Sequence, residues 1–207
     1  DRTYQNNEVS IYTYNFTTAE NPISDGGAFV SGPGAWNTMQ ATGGRGQDVG
    51  TGFASTRLDD TAGGGLTIGS NQYSQVNVFA TGTNGRECGP TTRMASPTDG
   101  DCYLMDMDFN TPGTQMYRCD DTGSLAFTAL GAAFADDKVS GDLVRLSSDA
   151  SVHTYFLNGV SIGTRSDSTY TGGQPGFFSQ AETDGNAEVD NFEWGDVAAD
   201  GGGPRTF

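Results

Sequence analysis

Three acidic residues near the end of the chain have a spacing that can support hydrolytic chemistry. They lie in the stretch NAEVDNFEWGDV, where Glu188, Asp190 and Glu193 follow the order E-x-D-x-x-E. Two carboxyl groups about 5 to 5.5 Å apart can act as acid and nucleophile in the hydrolysis of a glycosidic bond. On a regular strand Glu188 and Asp190 share a face and Glu193 points to the opposite face, whereas a bulge would bring all three together.

The aromatic residues of the same stretch favour a structural role for it. Under regular alternation Phe192 and Trp194 share the face of Glu188 and Asp190, so this face is expected to be partly core or an aromatic-lined cleft. The carboxylate of Asp190 is then expected to accept backbone N–H bonds from an adjoining loop. The alternative is a calcium site in which Asp190 joins loop carbonyls, because Ca²⁺ takes about six to eight oxygen ligands. Asp190 is therefore the predicted metal ligand, and Ca²⁺ is the candidate cofactor.

A second group of charged side chains is predicted in the middle of the chain. In CYLMDMDF, residues 102–109, strict alternation places Asp106 and Asp108 on the face opposite to the apolar core positions. If tight turns flank this strand, Arg118 lies across from Asp106, and Arg93 joins them on the same face. Such a patch can bind sugar hydroxyls or an acidic glycan, since the arginine fork holds carboxylates bidentately. The alternative is cross-strand ion pairing on a solvated sheet, at about 0 to 1 kcal/mol per pair.

Strands joined by tight turns must position these residues. Apolar and polar residues alternate with a period of two in several segments, and no long helical periodicity occurs. The clearest unit is the hairpin at 151–165, where Asn158-Gly159 suits a type I′ turn. The expected cross-strand pairs are Leu157 with Val160, Tyr155 with Ile162, and His153 with Thr164. His153, the single histidine, is expected to hydrogen-bond to its neighbours at the hairpin edge rather than to act in catalysis.

The composition suits one all-β domain. The chain has 207 residues, of which 34% are apolar and 31 are glycine, enough for one sandwich core with many tight turns. Short strands between turn residues predict a two-sheet antiparallel β-sandwich over residues 9–197. Residues 1–8 are interpreted as an N-terminal arm and 198–207 as a Gly-rich tail, and strands 9–16 and 187–194 are expected to be neighbours. No apolar run is long enough to span a membrane.

The net charge limits the partners of the protein. It is −16, with ten Lys and Arg residues against 26 Asp and Glu residues. Such a field repels phosphate backbones, so no nucleic acid partner is expected. The acidic surface is compatible with divalent-cation binding, with solubility in salty surroundings, with a basic partner, or with plain solvation.

The three cysteines are Cys88, Cys102 and Cys119, and their spacing matches no zinc site. At most one disulfide can form within the chain, and one thiol then stays free or pairs between chains. The sequence alone does not select the pair, because disulfide geometry depends on positions in the fold.

Four segments share a further pattern: YNFTTAENPISDGGAFVSGPGAW at 14–36, SNQYSQVNVFA at 70–80, residues 142–178, and the closing AEVDNFEWGDV. Together they resemble the concanavalin A-like lectin/glucanase superfamily (LamG-like), which implies a jelly-roll sandwich. In sandwich glycosidases of this superfamily the catalytic strand lies mid-chain, whereas EVDNFE aligns with the terminal D-N-F-E strand. The lyase signature strands of the superfamily have no match. The resemblance therefore implies the fold and argues against catalysis.

The sequence thus predicts a non-catalytic binding or structural sandwich that is extracellular, on a cell surface or on a virion. Its partner would be a polysaccharide, with Trp36 and Trp194 as candidate stacking residues. Neighbouring subunits in a surface assembly, including a homo-oligomer, are the other candidate partners. The alternatives are a virion decoration or filament protein without a glycan ligand, and a polysaccharide hydrolase or lyase.

Overall fold

Every regular element among the described residues is a β-strand. The computed structural model describes residues 11–50, 52–59, 69–80, 87–181 and 187–197. The strands, numbered β1 to β15 along the chain, form two antiparallel sheets. Within these ranges no helix could cross a membrane. The prediction of an all-β, two-sheet antiparallel sandwich is confirmed.

Sheet A contains eight strands. The bounds of its strands are Ile11–Tyr14 (β1), Met39–Thr42 (β3), Arg45–Asp48 (β4), Gln72–Ala80 (β6), Leu143–Asp149 (β11), Val152–Leu157 (β12), Val160–Ser166 (β13) and Ala187–Asp196 (β15). Their order in the sheet is β13-β12-β11-β6-β15-β4-β3, and β1 pairs with the C-terminal half of β15.

Sheet B contains seven strands and lies against sheet A. The bounds of its strands are Phe29–Ser31 (β2), Gly52–Leu58 (β5), Glu87–Met94 (β7), Cys102–Asp106 (β8), Gln115–Asp121 (β9), Leu125–Ala129 (β10) and Gln174–Ala181 (β14). Their order in the sheet is β10-β9-β8-β7-β14-β5-β2.

The facing sides of the two sheets form the main hydrophobic core. Strand β8 shows the alternation, because Tyr103 and Met105 are fully buried between the sheets while Leu104 belongs to a separate cluster on the other side of sheet B. Rings from the two sheets pack together in the core, and the centroids of Phe177 and Phe192 are 4.9 Å apart. Burial of each such side chain contributes about 1.5 to 3 kcal/mol.

The hairpin formed by β12 and β13 has the predicted turn. Asn158 and Gly159 have φ values of 49° and 82°, and Leu157 lies opposite Val160. The other two predicted pairs are wrong by one residue, because the register shifts at an irregularity within the hairpin. The structure pairs Tyr155 with Gly163 and His153 with Arg165.

His153 is a buried structural residue rather than an edge residue. Its Nδ1 atom lies 2.9 Å from Ser148 Oγ and its Nε2 atom lies 3.1 Å from the Asp167 carbonyl oxygen. Burial lowers the pKa of His153 to about 4. Its ring nitrogens are bonded to neighbouring groups, as the sequence predicts.

The first and last described strands are neighbours, which confirms another prediction. Ile11 of β1 lies opposite Gly195 of β15, and the pairing continues to Tyr14 opposite Phe192. The predicted arm and tail, residues 1–8 and 198–207, lie outside the described residues.

Candidate functional site

The face of sheet B that points away from sheet A is concave. Phe53 on β5 and Phe127 on β10 both belong to the apolar cluster on this face. Four strands separate β5 from β10, so in a flat sheet they would lie about 24 Å apart. The centroids of the two rings are only 4.6 Å apart. Sheet B therefore curls until side chains from distant strands meet over its outer face.

Trp36, from the segment between β2 and β3, fills the centre of this concave face. Its ring lies 6.0 to 6.1 Å from those of Phe53, Phe127 and Phe178, and its Nε1–H donates to the Gly100 carbonyl oxygen at 3.1 Å. Only 4% of Trp36 is exposed. The concave face is thus partly covered by a second hydrophobic cluster.

Three carboxylates lie on the same side of sheet B, and we call them the acidic cluster: Glu87, Asp106 and Asp108. Thr91 on β7 pairs with Leu104 on β8, and continuing this register places Asp108 beside Glu87 and Asp106 diagonally across from it. The bond from the Met107 N–H to the Cys88 carbonyl oxygen, at 3.1 Å, extends the ladder to this point. All three acids are half-buried.

Burial and mutual repulsion disfavour the charged forms of this cluster. Burial, with the nearby Asp108, raises the pKa of Glu87 to about 7. The pKa of Asp106 is raised well above its usual range by burial and then by Glu87 and Asp108. The half-buried Tyr117 also has a raised pKa, through burial and the same three acids. Protonated carboxyls can both donate and accept hydrogen bonds, so the cluster can contact hydroxyl groups in either sense.

One oxygen of the acidic cluster lacks a partner. Asp106 Oδ1 is buried and makes no hydrogen bond. Asp108, in contrast, accepts bonds from the Asn110 N–H at 2.7 Å and the Thr111 hydroxyl at 2.8 Å. The positive charge of Lys138 interacts with Asp106 and lowers its pKa, but the ammonium group donates its hydrogen bonds to the carbonyl oxygens of Thr111 and Gly113. A buried acceptor without a partner costs about 1 to 3 kcal/mol, which a bound donor would recover.

The structure brings together only part of the charged patch predicted from the sequence. Asp106 and Asp108 share a face as expected, but Asp106 pairs with Gln115 rather than with Arg118. This difference of three residues moves Arg118 to the other face of β9, because an odd shift reverses side-chain direction. Arg118 is bonded there to Asp120 at 3.0 Å and to Asp167 at 3.3 Å. The predicted contact between Arg118 and Asp106 is wrong.

Arg93 is also absent from the acidic cluster. It is 1% exposed and has a φ of 56°, and its guanidinium donates to the carbonyl oxygens of Ser70 and Tyr170 at 2.8 to 3.0 Å. Burial lowers its pKa. Arg93 therefore ties together two segments of backbone and is not accessible as a ligand-binding group.

The two tryptophans do not provide exposed stacking surfaces. Trp36 lies in the cluster on the concave face, and Trp194 is 1% exposed in the main core. The prediction that they stack on a ligand is therefore not supported by their positions. Half-buried rings on the concave face are instead those of Phe53, Tyr117 and Phe127.

The E-x-D-x-x-E stretch lies on the outer face of sheet A. A bulge between Asp190 and Glu193 pairs Asp190 with Asn77 and Glu193 with Gln75, and Glu188 pairs with Phe79. The bulge brings all three carboxylates onto one face. Regular alternation was the wrong expectation for this strand. Phe192 and Trp194 point instead into the core.

Basic and hydroxyl groups engage the two glutamates of this stretch. Arg45 lies 2.5 Å from Glu188, while Glu193 accepts a bond from the Tyr73 hydroxyl at 2.7 Å and lies 3.7 Å from Arg145. The two guanidinium groups also stack on rings, Arg45 at 3.7 Å from the Phe79 centroid and Arg145 at 4.2 Å from that of Tyr73. A cavity of about 260 Å³ lies beside Glu193. This face is a network of paired charges.

Asp190 does not stand in a ready-made metal site. Its carboxylate accepts the Asn191 N–H at 2.7 Å, and burial raises its pKa. Across the described ranges, no group of three or more His, Cys, Asp or Glu side chains is arranged to hold a metal ion. The predicted site combines Asp190 with loop carbonyl oxygens, so calcium binding there stays a prediction.

Glu87 is the site residue that sequence reasoning missed. It begins a strand, Glu87–Met94, that contains Gly89 and Pro90, a pair typical of turns. The available signal was the alternation after Glu87, because the buried Cys88 faces the main core and its neighbours face away.

Comparisons with known proteins bear on the fold. No protein-family model and no curated protein matches the chain. The carbohydrate-binding module CBM66 from Bacillus subtilis is similar at a TM-score of 0.58 and 15% identity, over 80% of this chain and 94% of that one. An endo-acting O-glycanase of the human gut microbiota is similar at a TM-score of 0.58 and 8% identity, over 90% of this chain and 99% of that one. The kappa-carrageenase from Pseudoalteromonas carrageenovora is similar at a TM-score of 0.50 and 9% identity, over 89% of this chain and 92% of that one.

The fold is the concanavalin A-like jelly roll. This confirms the resemblance derived from the sequence at the level of the fold. At such low identities the likeness extends to architecture alone, and the similar structures include both a binding module and enzymes.

Proposed function

We propose that the protein binds a polysaccharide on the concave face of sheet B and that the acidic cluster contacts the sugar hydroxyls. The observation that carries this proposal is the unpartnered Oδ1 atom of Asp106, buried beside the half-buried Glu87 and Tyr117. A hydroxyl donor would satisfy this oxygen, and buried acceptors are almost always bonded in folded proteins. Perturbed carboxyls gathered on a concave surface are typical of functional sites.

The surroundings of the cluster suit a neutral sugar. The half-buried rings of Phe53, Tyr117 and Phe127 offer apolar surface on which the face of a pyranose can rest. The net charge of −16 opposes a uronic acid or sulfated glycan. The fold shared with a carbohydrate-binding module supports the same class of ligand. The proposal includes an extracellular setting, where such a ligand would be encountered.

Hydrolysis of the bound glycan is a second candidate function. It is favoured by the pKa of about 7 of Glu87 next to a second carboxyl, Asp106, because a general acid must hold its proton near neutral pH. The fold shared with a carrageenase supports this candidate. In this mechanism one carboxyl of the pair would protonate the leaving oxygen, and the other, in its ionised form, would act on the anomeric carbon directly or through water.

Titration calorimetry against a panel of soluble neutral and acidic polysaccharides tests the proposal. Asp106→Leu removes the unpartnered acceptor and is expected to weaken binding about tenfold or more. Asp190→Leu makes the same change on sheet A and is the matched control, with affinity unchanged. The proposal fails if both variants bind like the wild type or lose affinity equally. Release of reducing sugar by the wild type and its loss in Glu87→Gln would establish the hydrolase.

A further inference from the structure

Two of the three cysteines stand directly opposite each other on neighbouring strands. Cys102 on β8 and Cys119 on β9 form a cross-strand pair in the antiparallel ladder. Directly opposed residues in such a ladder have Cα atoms about 4.5 to 5.5 Å apart. A disulfide requires about 4.4 to 6.8 Å between Cα atoms, so the backbone geometry already meets the requirement.

Their side chains point to the same side of the sheet and touch. Both cysteines are fully buried, and both belong to the cluster on the concave face with Trp36 and Phe178. The pKa of Cys102 is raised by burial and then by interaction with the Cys119 thiol, as expected for adjacent thiols. The two sulfur atoms are therefore neighbours before any bond forms, and no strand has to move to join them.

The third cysteine has no access to this pair. Cys88 is buried in the main core, on the opposite side of sheet B. Its thiol donates to the carbonyl oxygens of Glu188 at 3.5 Å and Phe79 at 3.9 Å, both on sheet A. The sheet itself separates Cys88 from the other two sulfur atoms, so only one intrachain pairing fits the fold.

We infer that Cys102 and Cys119 form a cross-strand disulfide when the protein folds in an oxidising setting, and that Cys88 remains a thiol. The oxidant is a small disulfide such as oxidised glutathione. The thiolate of one cysteine attacks it and releases one reduced glutathione, and the thiolate of the other cysteine then displaces the second. Both thiol protons and both electrons end on the two glutathione thiols, and one sulfur–sulfur bond is gained in the protein.

Burial decides when this bond can form. The sulfur atoms have no exposed surface, and burial raises the pKa of Cys102, whereas exchange requires an accessible thiolate. Oxidation therefore takes place before Trp36 covers the concave face. In the folded, reduced protein both thiols resist small oxidants, and in the folded, oxidised protein the bond resists reductants.

Thiol counting on the full chain tests the inference. The chain is refolded with a mixture of reduced and oxidised glutathione, unfolded without reductant, alkylated with iodoacetamide and digested for mass spectrometry. The expected result is alkylation of Cys88 alone and a disulfide-linked peptide pair that contains Cys102 and Cys119, with all three cysteines alkylated after reduction. Alkylation of all three without reduction, or a disulfide that includes Cys88, would overturn it.

Melting temperatures provide a second readout with a matched control. Protein refolded with reductant is expected to melt about 5 to 10 °C below the oxidised protein, because the bond closes a short loop of the unfolded chain. Cys88→Ala keeps this difference between oxidised and reduced protein, whereas Cys119→Ala abolishes it. A reductant effect that persists in Cys119→Ala would contradict the assignment.

Discussion

The acidic cluster on sheet B and the outer face of sheet A carry the same acidic residue types in opposite surroundings. On sheet A, Glu188 pairs with Arg45, and Glu193 lies beside Arg145 and accepts the Tyr73 hydroxyl. On sheet B, the acids face one another, and Asp106 keeps an oxygen without a hydrogen bond.

This difference shows how the fold assigns different tasks to one residue type. Where a guanidinium is present, the carboxylate joins two strands, and a ligand would have to compete with the ion pair. Where the carboxyl is buried beside other acids, its charged form does not stabilise the folded protein. The face whose acids are unsatisfied is therefore the better candidate for binding.

The largest expected effect is the loss of stability when an aromatic side chain is removed from each of the two faces. Trp36→Ala opens a cavity in the cluster on the concave face and is expected to lower the free energy of unfolding by about 3 to 5 kcal/mol. Phe79→Ala removes a half-buried ring from sheet A that packs under Arg45, and about 1 kcal/mol is expected. Urea denaturation measures both. Equal losses would show that the concave face is not a second core.

The next largest effect is a dependence of the folding stability on pH, caused by Glu87 in the acidic cluster. The pKa of Glu87 is raised from 4.5 to about 7 in the folded protein, so the folded state holds this proton more tightly than the unfolded state. The resulting stabilisation is fully present below pH 4.5 and is lost as the pH rises through about 7. After allowance for solvent screening it amounts to about 2 kcal/mol.

Denaturation of the wild type and Glu87→Gln between about pH 4.5 and 8 measures this pH-dependent stabilisation. The free energies of unfolding of the two proteins are expected to diverge across this range, with the variant gaining at high pH. His153 has a lowered pKa and contributes the opposite slope, but it contributes equally to both proteins. Parallel curves would show that Glu87 is not perturbed by its surroundings.

The smallest expected effect is the coupling free energy between two neighbouring charged side chains, which is expected to differ in sign between the two faces. A double-mutant cycle with Arg45→Gln and Glu188→Gln is expected to give an attraction of about 0.5 kcal/mol that weakens with added salt. A cycle with Glu87→Gln and Asp106→Asn, at a pH where Glu87 is charged, is expected to give repulsion. Couplings of the same sign on both faces would remove the distinction between them.

Alternation and turn chemistry made the strands and the sandwich predictable from the sequence. The period-two pattern identified β8 with its core face, and Asn158-Gly159 located the β12–β13 turn. These signals are local, because each depends on residues within one strand or one turn.

The features that escaped prediction depend on register and on bulges. The sequence predicts Arg118 opposite Asp106, but the length of the β8–β9 connection does not fix the pairing, and the structure pairs Asp106 with Gln115. The bulge at Asn191, which has a φ of 50°, reverses the side-chain directions that follow it. Glu87 joins Asp106 only through the β7–β8 pairing. Such relations are decided by packing between strands, which no single stretch of sequence records.

The contact between Phe53 and Phe127 has a consequence for the rate of folding. The two rings belong to strands far apart along the chain, and they meet only after the strands between them have assembled and curled. The entropy of closing so large a loop is lost before the rings gain any contact. The protein is therefore expected to fold on the slow timescale of sandwiches with high contact order, about milliseconds to seconds, with closure of the concave face as a late event.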